Sequence, residues 1–442
     1  MISFVSLFIG LVMGVQTVEV AVDPRVARVE LRLDGEAVGQ ITGPPWSTGL
    51  DFGKVLLPRE LTAAAFDASG QPLAEARQWL NLPRAEAEVS LVLEGNRNGM
   101  PERARLAWES LVGGQPRSVT ATLDGRPLAV ADTRTLELPE LDPQQLHYLR
   151  AEVEFTDAVS AVVERVFGGA YTDSLTFDLS AVPVILAKGK STPAVDQVQG
   201  WLRKGGQPLE VAAVERGAAQ ILVVRDAQAT SGLERIQRDM SSLMRVAGTA
   251  NGLETASAML REALPLQKDQ RVRFLAPHGQ EQAGASLSYA LFPSSPEFSH
   301  RDGGLYWLLS RAKSRRLLNS PQRLADAVAV AGMSAAGEGR RRTVVLLLGR
   351  KPEDVSQLQP EVVRQYLAAL KVPFRVWTLE ATPGPEARRW GEIVDVSSGG
   401  RLGSAAEDLL STLERQVILW VRGTHRPQDI EVVPNGPFSL AE

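Results

Sequence analysis

The chain has 442 residues and a net charge of −4; at roughly 150 residues per domain it makes about three folded units. Its 44% hydrophobic content is enough for each unit to bury a core, which excludes wholesale disorder, and the mild acidity excludes a surface that coats nucleic acid. Zero cysteines exclude disulfides, thiolate metal sites and thiol catalysis together. His147, His278, His300 and His425 are scattered without ligand-like spacing, so no zinc centre is expected.

Residues 2–15 (ISFVSLFIGLVMGV) are apolar apart from two serines and two glycines. A membrane-spanning helix needs about 20 apolar residues, so residues 1–14 read as a signal-peptide core, with a first buried strand as the alternative. On the first reading the protein is exported to the periplasm or cell envelope, cleaved or N-terminally anchored. Residues 15–83 then alternate like half-buried antiparallel strands. Val18–Val22 and Arg25–Leu33 lead into a tight Asp34-Gly35 turn, and Leu61–Phe66 ends at Asp67-Ala68-Ser69-Gly70. Residues 84–180 repeat the pattern with Glu88–Leu93, Val119–Leu123, Asp124-Gly125, Leu146–Phe155 and Ala161–Phe167. The two Leu-Asp-Gly turns suggest a duplicated Ig-like β-sandwich module; chance recurrence of a common turn is the competing reading.

Residues 181–215 read as a β-hairpin linker around Gly205-Gly206. From 216 to 424, apolar strands alternate with helical patterns. Gln220–Val224, Arg271–Leu275, Leu287–Leu291, Arg342–Leu348, Val372–Leu379 and Val417–Val421 are the strands. Leu233–Val246, Leu253–Leu264, Leu305–Leu318, Leu324–Ala331, Pro360–Leu370, Glu386–Trp390 and Ala405–Gln416 are the helices. That alternation predicts a doubly wound, mainly parallel α/β sheet of Rossmann-like layering, with residues 425–442 as a tail.

The order of sandwich modules, a Gly205-Gly206-Gln207-Pro208 hairpin and an apolar strand ending in Asp226 resembles the von Willebrand factor A (VWA)-related proteins of the acidobacterial type. The resemblance implies a metal-ion-dependent adhesion site at the C-terminal sheet edge. That site is built from Asp-x-Ser-x-Ser, a Gly-Gly-Thr loop and an Asp after the fourth strand, oxygens that suit Mg²⁺. This sequence departs from it: Gln228 and Thr230 follow Asp226, Leu305 stands where the loop carries Thr, and Arg350 stands where the last Asp belongs. The implied site is degenerate, with no metal or other cofactor expected. The loops at Asp226–Gly232, Asp302–Tyr306 and Gly349–Asp354 are expected at one sheet edge. Arg350 would pair with Asp226 or with an acidic partner. Asp226, Thr230, Asp302, Arg350 and Lys351 are the candidate partner-binding residues.

Other motifs fail on their own chemistry. Gly189-Lys190-Ser191-Thr192 has Val184 where a P-loop needs glycine, and Gly284-Ala285-Ser286-Leu287-Ser288 lacks the closing glycine of a nucleophile elbow. Glu353-Asp354 reads as a solvated turn. Residues 311–351 carry Arg311, Lys313, Arg315, Arg316, Arg323, Arg340, Arg341, Arg342, Arg350 and Lys351 against Asp326 and Glu338. Such a segment is either a patch for an anionic polymer or membrane surface, or the wet face of a helix and turn. The sequence thus points to a non-enzymatic protein-binding or scaffolding protein of the cell envelope. A Mg²⁺-dependent adhesion receptor and an envelope hydrolase are the alternatives.

Overall fold

A computed structural model describes the chain except residues 1, 9, 84–86, 96, 98–99, 111–114, 131, 144, 146, 157–158, 169–178, 247–263, 280–291, 312–320, 435, 437 and 442. The expected helix at 253–264 and strand at 287–291 therefore fall almost wholly outside the described residues. The chain divides into two compact units, one of Met1–Thr176 and one of Phe177–Ala283 with Leu291–Glu442.

Among the described residues, the first unit holds two β-sandwiches of seven strands each. The first sandwich comprises β1 (Ile2–Phe4), β2 (Val15–Val22), β3 (Arg28–Leu33), β4 (Glu36–Ile41), β5 (Ser47–Asp51), β6 (Arg59–Phe66) and β7 (Pro72–Leu80). Its sheets are ordered β1-β2-β5 and β4-β3-β6-β7. Alternation does what the sequence says: Val29, Leu31 and Leu33 of β3 face inward against Leu61, Ala63 and Ala65 of β6. The N-terminal apolar run belongs to this core. Ile2 pairs with Val22 and Phe4 with Val20, and the Asn81 side chain accepts from the Val12 N–H at 2.7 Å and donates to its carbonyl at 3.0 Å. Of this run, Ile2–Phe4 form the first strand, and Leu11 and Val12 are buried.

The second sandwich comprises β8 (Ala87–Glu94), β9 (Arg103–Ser110), β10 (Ser118–Leu123), β11 (Arg126–Pro127), β12 (Thr135–Glu137), β13 (His147–Thr156) and β14 (Val159–Phe167). Its sheets, β12-β9-β8 and β11-β10-β13-β14, repeat the first module strand for strand. Both Leu-Asp-Gly turns join the third strand to the fourth. Asp34 and Asp124 take nearly the same left-handed φ, 54° and 52°, as a two-residue hairpin turn requires.

The second unit has β15 (Leu179–Leu186), β16 (Leu202–Lys204), β17 (Gln207–Pro208), β18 (Val211–Glu215), β19 (Ala219–Arg225), β20 (Gln270–Leu275), β21 (Arg341–Leu348), β22 (Phe374–Thr378), β23 (Ile393–Asp395), β24 (Gln416–Arg422), β25 (Ile430–Val432) and β26 (Phe438–Leu440). Five of these make a parallel sheet, β20-β19-β21-β22-β23. Outside β20 an extended segment runs antiparallel, with Phe298 bonded to Val272 and Ser295 to Phe274. Every residue of β19 and β21 is buried, as befits central parallel strands. Helices Ala229–Val246, Leu305–Arg311 and Gly399–Arg415 cover one face, and Leu324–Ala336 with Pro360–Ala369 cover the other.

The second unit departs from expectation in three respects. Strand β24 does not extend the parallel sheet; it lies between β18 and β15 in an antiparallel sheet completed by β26. The expected linker and tail are therefore one body, because β26 pairs with β15 and β25 pairs with β16. Arg341 and Arg342, grouped with the surface arginines, are each 1% exposed. They serve the N-terminal edge of the sheet, where helices end and leave carbonyls without intrahelical donors. Arg342 donates to the carbonyls of Ala336 (2.9 Å) and Leu370 (3.1 Å), and Arg341 to that of Leu413 (2.9 Å) and to Asp269. A cation at three helix C-termini also meets the negative end of each helix dipole.

Candidate functional site

Open α/β sheets bind ligands at the C-terminal ends of their strands, so the loops after β19 and β21 are the place to look. Asp226 follows β19 directly and is fully buried. Its Oδ1 accepts from the Gln228 N–H and the Gln322 side-chain amide, both at 3.1 Å, and its Oδ2 accepts from the Gly349 N–H at 2.9 Å. Gln322 uses its other amide atom as well, accepting from the Ala227 N–H at 2.8 Å. Gln228 in turn accepts from the Lys351 N–H at 3.2 Å. Three loops are thereby laced together around one carboxylate.

The close approach explains Gly349. A Cβ there would stand 2.4 Å from the Gln228 carbonyl carbon and 2.7 Å from the Ala229 nitrogen. Only glycine lets the end of β21 come near enough for its N–H to reach Asp226.

A pair of carboxylates, Asp354 and Asp326, locks the adjoining loop. Asp354 Oδ1 and Oδ2 accept from the N–H groups of Leu324 and Ala325, at 2.9 and 3.1 Å, capping the helix Leu324–Ala336 from outside. Buried Asp326 answers by accepting from Gln357 (3.1 Å) and Leu358 (3.0 Å), and Arg323 donates to it at 2.8 Å. Asp354, read as a solvated turn residue, is a helix cap. Behind the site Arg225 is 5% exposed; burial lowers its pKa, and it donates to the Leu309 carbonyl at 3.4 Å.

The sequence-derived residues divide. Asp226, Gln228 and Arg350 are brought to one edge, with Lys351 beside them and Thr230 half-buried in the first helical turn. Arg350 is exposed and takes no part in the Asp226 bonds, so the expected Asp226–Arg350 pair is replaced by Gln322. Asp302 and Leu305 lie at the other end of the sheet. The segment after Phe298 runs antiparallel to β20, and the Leu305 N–H donates to the Leu264 carbonyl, which precedes β20. Leu305 is a core residue, so its missing hydroxyl says nothing about the Asp226 loop. Asp302 accepts instead from the N–H and hydroxyl of Ser299, at 2.7 and 3.0 Å.

Only part of the basic segment lies among the described residues, where Arg350 and Lys351 are exposed. Arg341 and Arg342 are buried, Arg340 meets Glu297 at 3.3 Å, and Arg323 lies on Asp326. Lys313, Arg315 and Arg316 lie outside the described residues, as does the Arg311 side chain.

The described residues hold no group of three or more His, Asp or Glu placed to share a metal ion, and no helix long and apolar enough to cross a membrane. A groove of about 730 Å³ lies away from Asp226, along edge strand β23, where Arg401 meets Asp395. Gln322 and Asp326 were missed as site residues because nothing in their local pattern marks a lone amide or an early helical Asp as a loop tie.

No protein-family description and no curated protein matches the sequence. Solved structures resemble parts of it. The fibronectin(III)-like modules of Clostridium thermocellum CbhA align at 14% identity over 18% of this chain and 93% of theirs, TM-score 0.16. Proximal thread matrix protein 1 from the mussel byssus, with a zinc-occupied MIDAS motif, aligns at 12% over 47% of this chain and 48% of its own, TM-score 0.28. The central fibronectin-III array of RIM-binding protein aligns at 9% over 46% and 81%, TM-score 0.17. By strand order the described residues form two β-sandwich modules and a five-stranded parallel sheet beside antiparallel ones.

Proposed function

We propose that the chain is a non-enzymatic protein-binding or scaffolding protein of the bacterial cell envelope. On this reading its α/β domain is VWA-like, with hydrogen bonds in place of a metal ion. The observation that supports it most is the Asp226 carboxylate, which faces N–H donors from Gln228, Gln322 and Gly349. A divalent cation needs converging oxygens, and these donors are the wrong polarity for one. The outer rim carries exposed Arg350 and Lys351 with Val355 at 57% exposure, a surface suited to an acidic protein partner.

A paired experiment tests this. Millimolar Mg²⁺ or Mn²⁺ should leave the melting temperature of the second unit unchanged, because a ligand bound to the native state alone would raise it. The double variant Arg350→Glu, Lys351→Glu should keep that melting temperature and lose partner capture from an envelope extract. A metal-dependent rise abolished by Asp226→Ala would instead favour the adhesion-receptor alternative, and unchanged capture would remove this rim as the binding surface.

A further inference from the structure

Each sandwich module places a cation at the first residue of its sixth strand. In the first module this is Arg59, whose Nε donates to Asp34 Oδ2 at 2.7 Å and whose Nη1 donates to the Phe52 carbonyl at 3.4 Å. In the second it is His147, with Nδ1 2.8 Å from Asp124 Oδ2 and Nε2 3.0 Å from the Asp142 carbonyl. The surroundings correspond bond for bond. Asp34 and Asp124 each open an Asp-Gly turn, and each sends Oδ1 to the next backbone N–H, of Glu60 at 2.9 Å and of Tyr148 at 2.7 Å. Each also donates its own N–H to that residue's carbonyl, at 2.8 Å in both modules. Phe52 and Asp142 both lie in the connection between the fifth and sixth strands.

The chemistry of the two cations differs. A carbonyl and an ionised carboxylate only accept hydrogen bonds, so a ring held between them satisfies both only when both nitrogens carry hydrogen. A neutral imidazole has one N–H and must leave one acceptor empty. We infer that His147 is a pH-operated tie, joining the loop before β13 to the Asp124-Gly125 turn as an imidazolium and releasing one of them when neutral. The first module holds the same joint with a guanidinium, which stays charged throughout.

The described neighbours of the ring are few. The turn contributes Asp124, with Arg126 acting on that carboxylate; the loop contributes Asp142; β14 contributes the uncharged Phe167 ring at 5.8 Å. Burial disfavours the imidazolium, yet the Asp124 hydrogen bond, the Asp142 carbonyl and both negative charges outweigh it and move the His147 pKa upward. The same bond holds the Asp124 carboxyl below its ordinary range. A base with a raised folded-state pKa stabilises fully below its unfolded value of about 6.5, and that contribution is lost as pH rises through the folded value.

The full-length chain provides the test. Ring NMR signals of the four histidines are titrated, with His147 assigned by replacing the other three with glutamine. Amide hydrogen exchange, corrected for intrinsic rates, is compared at about pH 5.5 and about pH 8.5, on either side of an ordinary histidine. The His147 ring should titrate above about 6.5, and protection at the Asp124 and Tyr148 amides should fall severalfold at the higher pH while Asp34 and Glu60 hold. His147→Arg should abolish that fall, and Arg59→His should create one in the first module. A ring that titrates at or below about 6.5 overturns the inference, as does an equal change in both modules. Both readings come from the unaltered His147–Asp124 pair, so they decide even where a swap variant does not fold.

Discussion

Replacing Arg342 separates the value of its hydrogen bonds from the cost of burying its charge. The side chain is 1% exposed and supplies donors to the carbonyls of Ala336 and Leu370, the ends of two helices. Hydrogen bonds to a charged group contribute about 2 kcal/mol each, so the two amount to about 4 kcal/mol. The buried alkyl stem adds about 2 kcal/mol of packing. Against these, burial pushes the guanidinium pKa down to about 10, a displacement worth about 3 kcal/mol of desolvation. Arg342→Ala should therefore destabilise the second unit by about 3 kcal/mol, and Arg342→Met, which keeps the stem, by about 1 kcal/mol. For a unit of this size 1 kcal/mol corresponds to about 3 °C, so differential scanning calorimetry should show losses of about 9 °C and about 3 °C. The transition of the sandwich modules should not move. An alanine variant within about 1 °C of the parent, or a methionine variant as damaged as the alanine one, would refute the reasoning.

Gly349→Ala should cost about 2 kcal/mol or more in urea unfolding, because the new methyl meets backbone of Gln228 and Ala229 that flexible side chains cannot relieve. Asp354→Ala should cost about 1 kcal/mol by removing the cap on Leu324 and Ala325, and Asp354→Asn, which keeps an acceptor, should recover part of it in the same assay.

Periodicity made the layers legible. Alternation in Arg28–Leu33 and the unbroken apolar runs of Ile221–Val224 and Val344–Leu348 each describe a local environment that the chain then meets. Partnership across long separations was not legible. Val417–Val421 looks like any buried strand, and only pairing with residues 179–186 and 211–215 places it outside the parallel sheet. The arginines misled for a related reason: adjacent Arg340, Arg341 and Arg342 have the same composition, but strand geometry aims two of them at helix ends. The candidate site was found at Asp226 because a strand-ending Asp has a local signature. Gln322 was missed because it is 96 residues away, and Leu305 was misplaced because a glycine pair looks alike at either end of a sheet.

The pairing of β15 with β24 and β26 has a consequence for synthesis. Strand β15 leaves the ribosome some 230 residues before the first of those neighbours, since Ile185 is matched to Gln416. Between those moments β19 to β23 can assemble from contacts already made, while Val182, Val184 and Leu186 have no strand to lie beside. A chain halted before residue 416 would carry a complete parallel sheet next to a bare apolar edge, the kind that joins to other chains. Residues 416–440 thus close the structure opened at Leu179–Leu186, and that edge is covered only once they have been made.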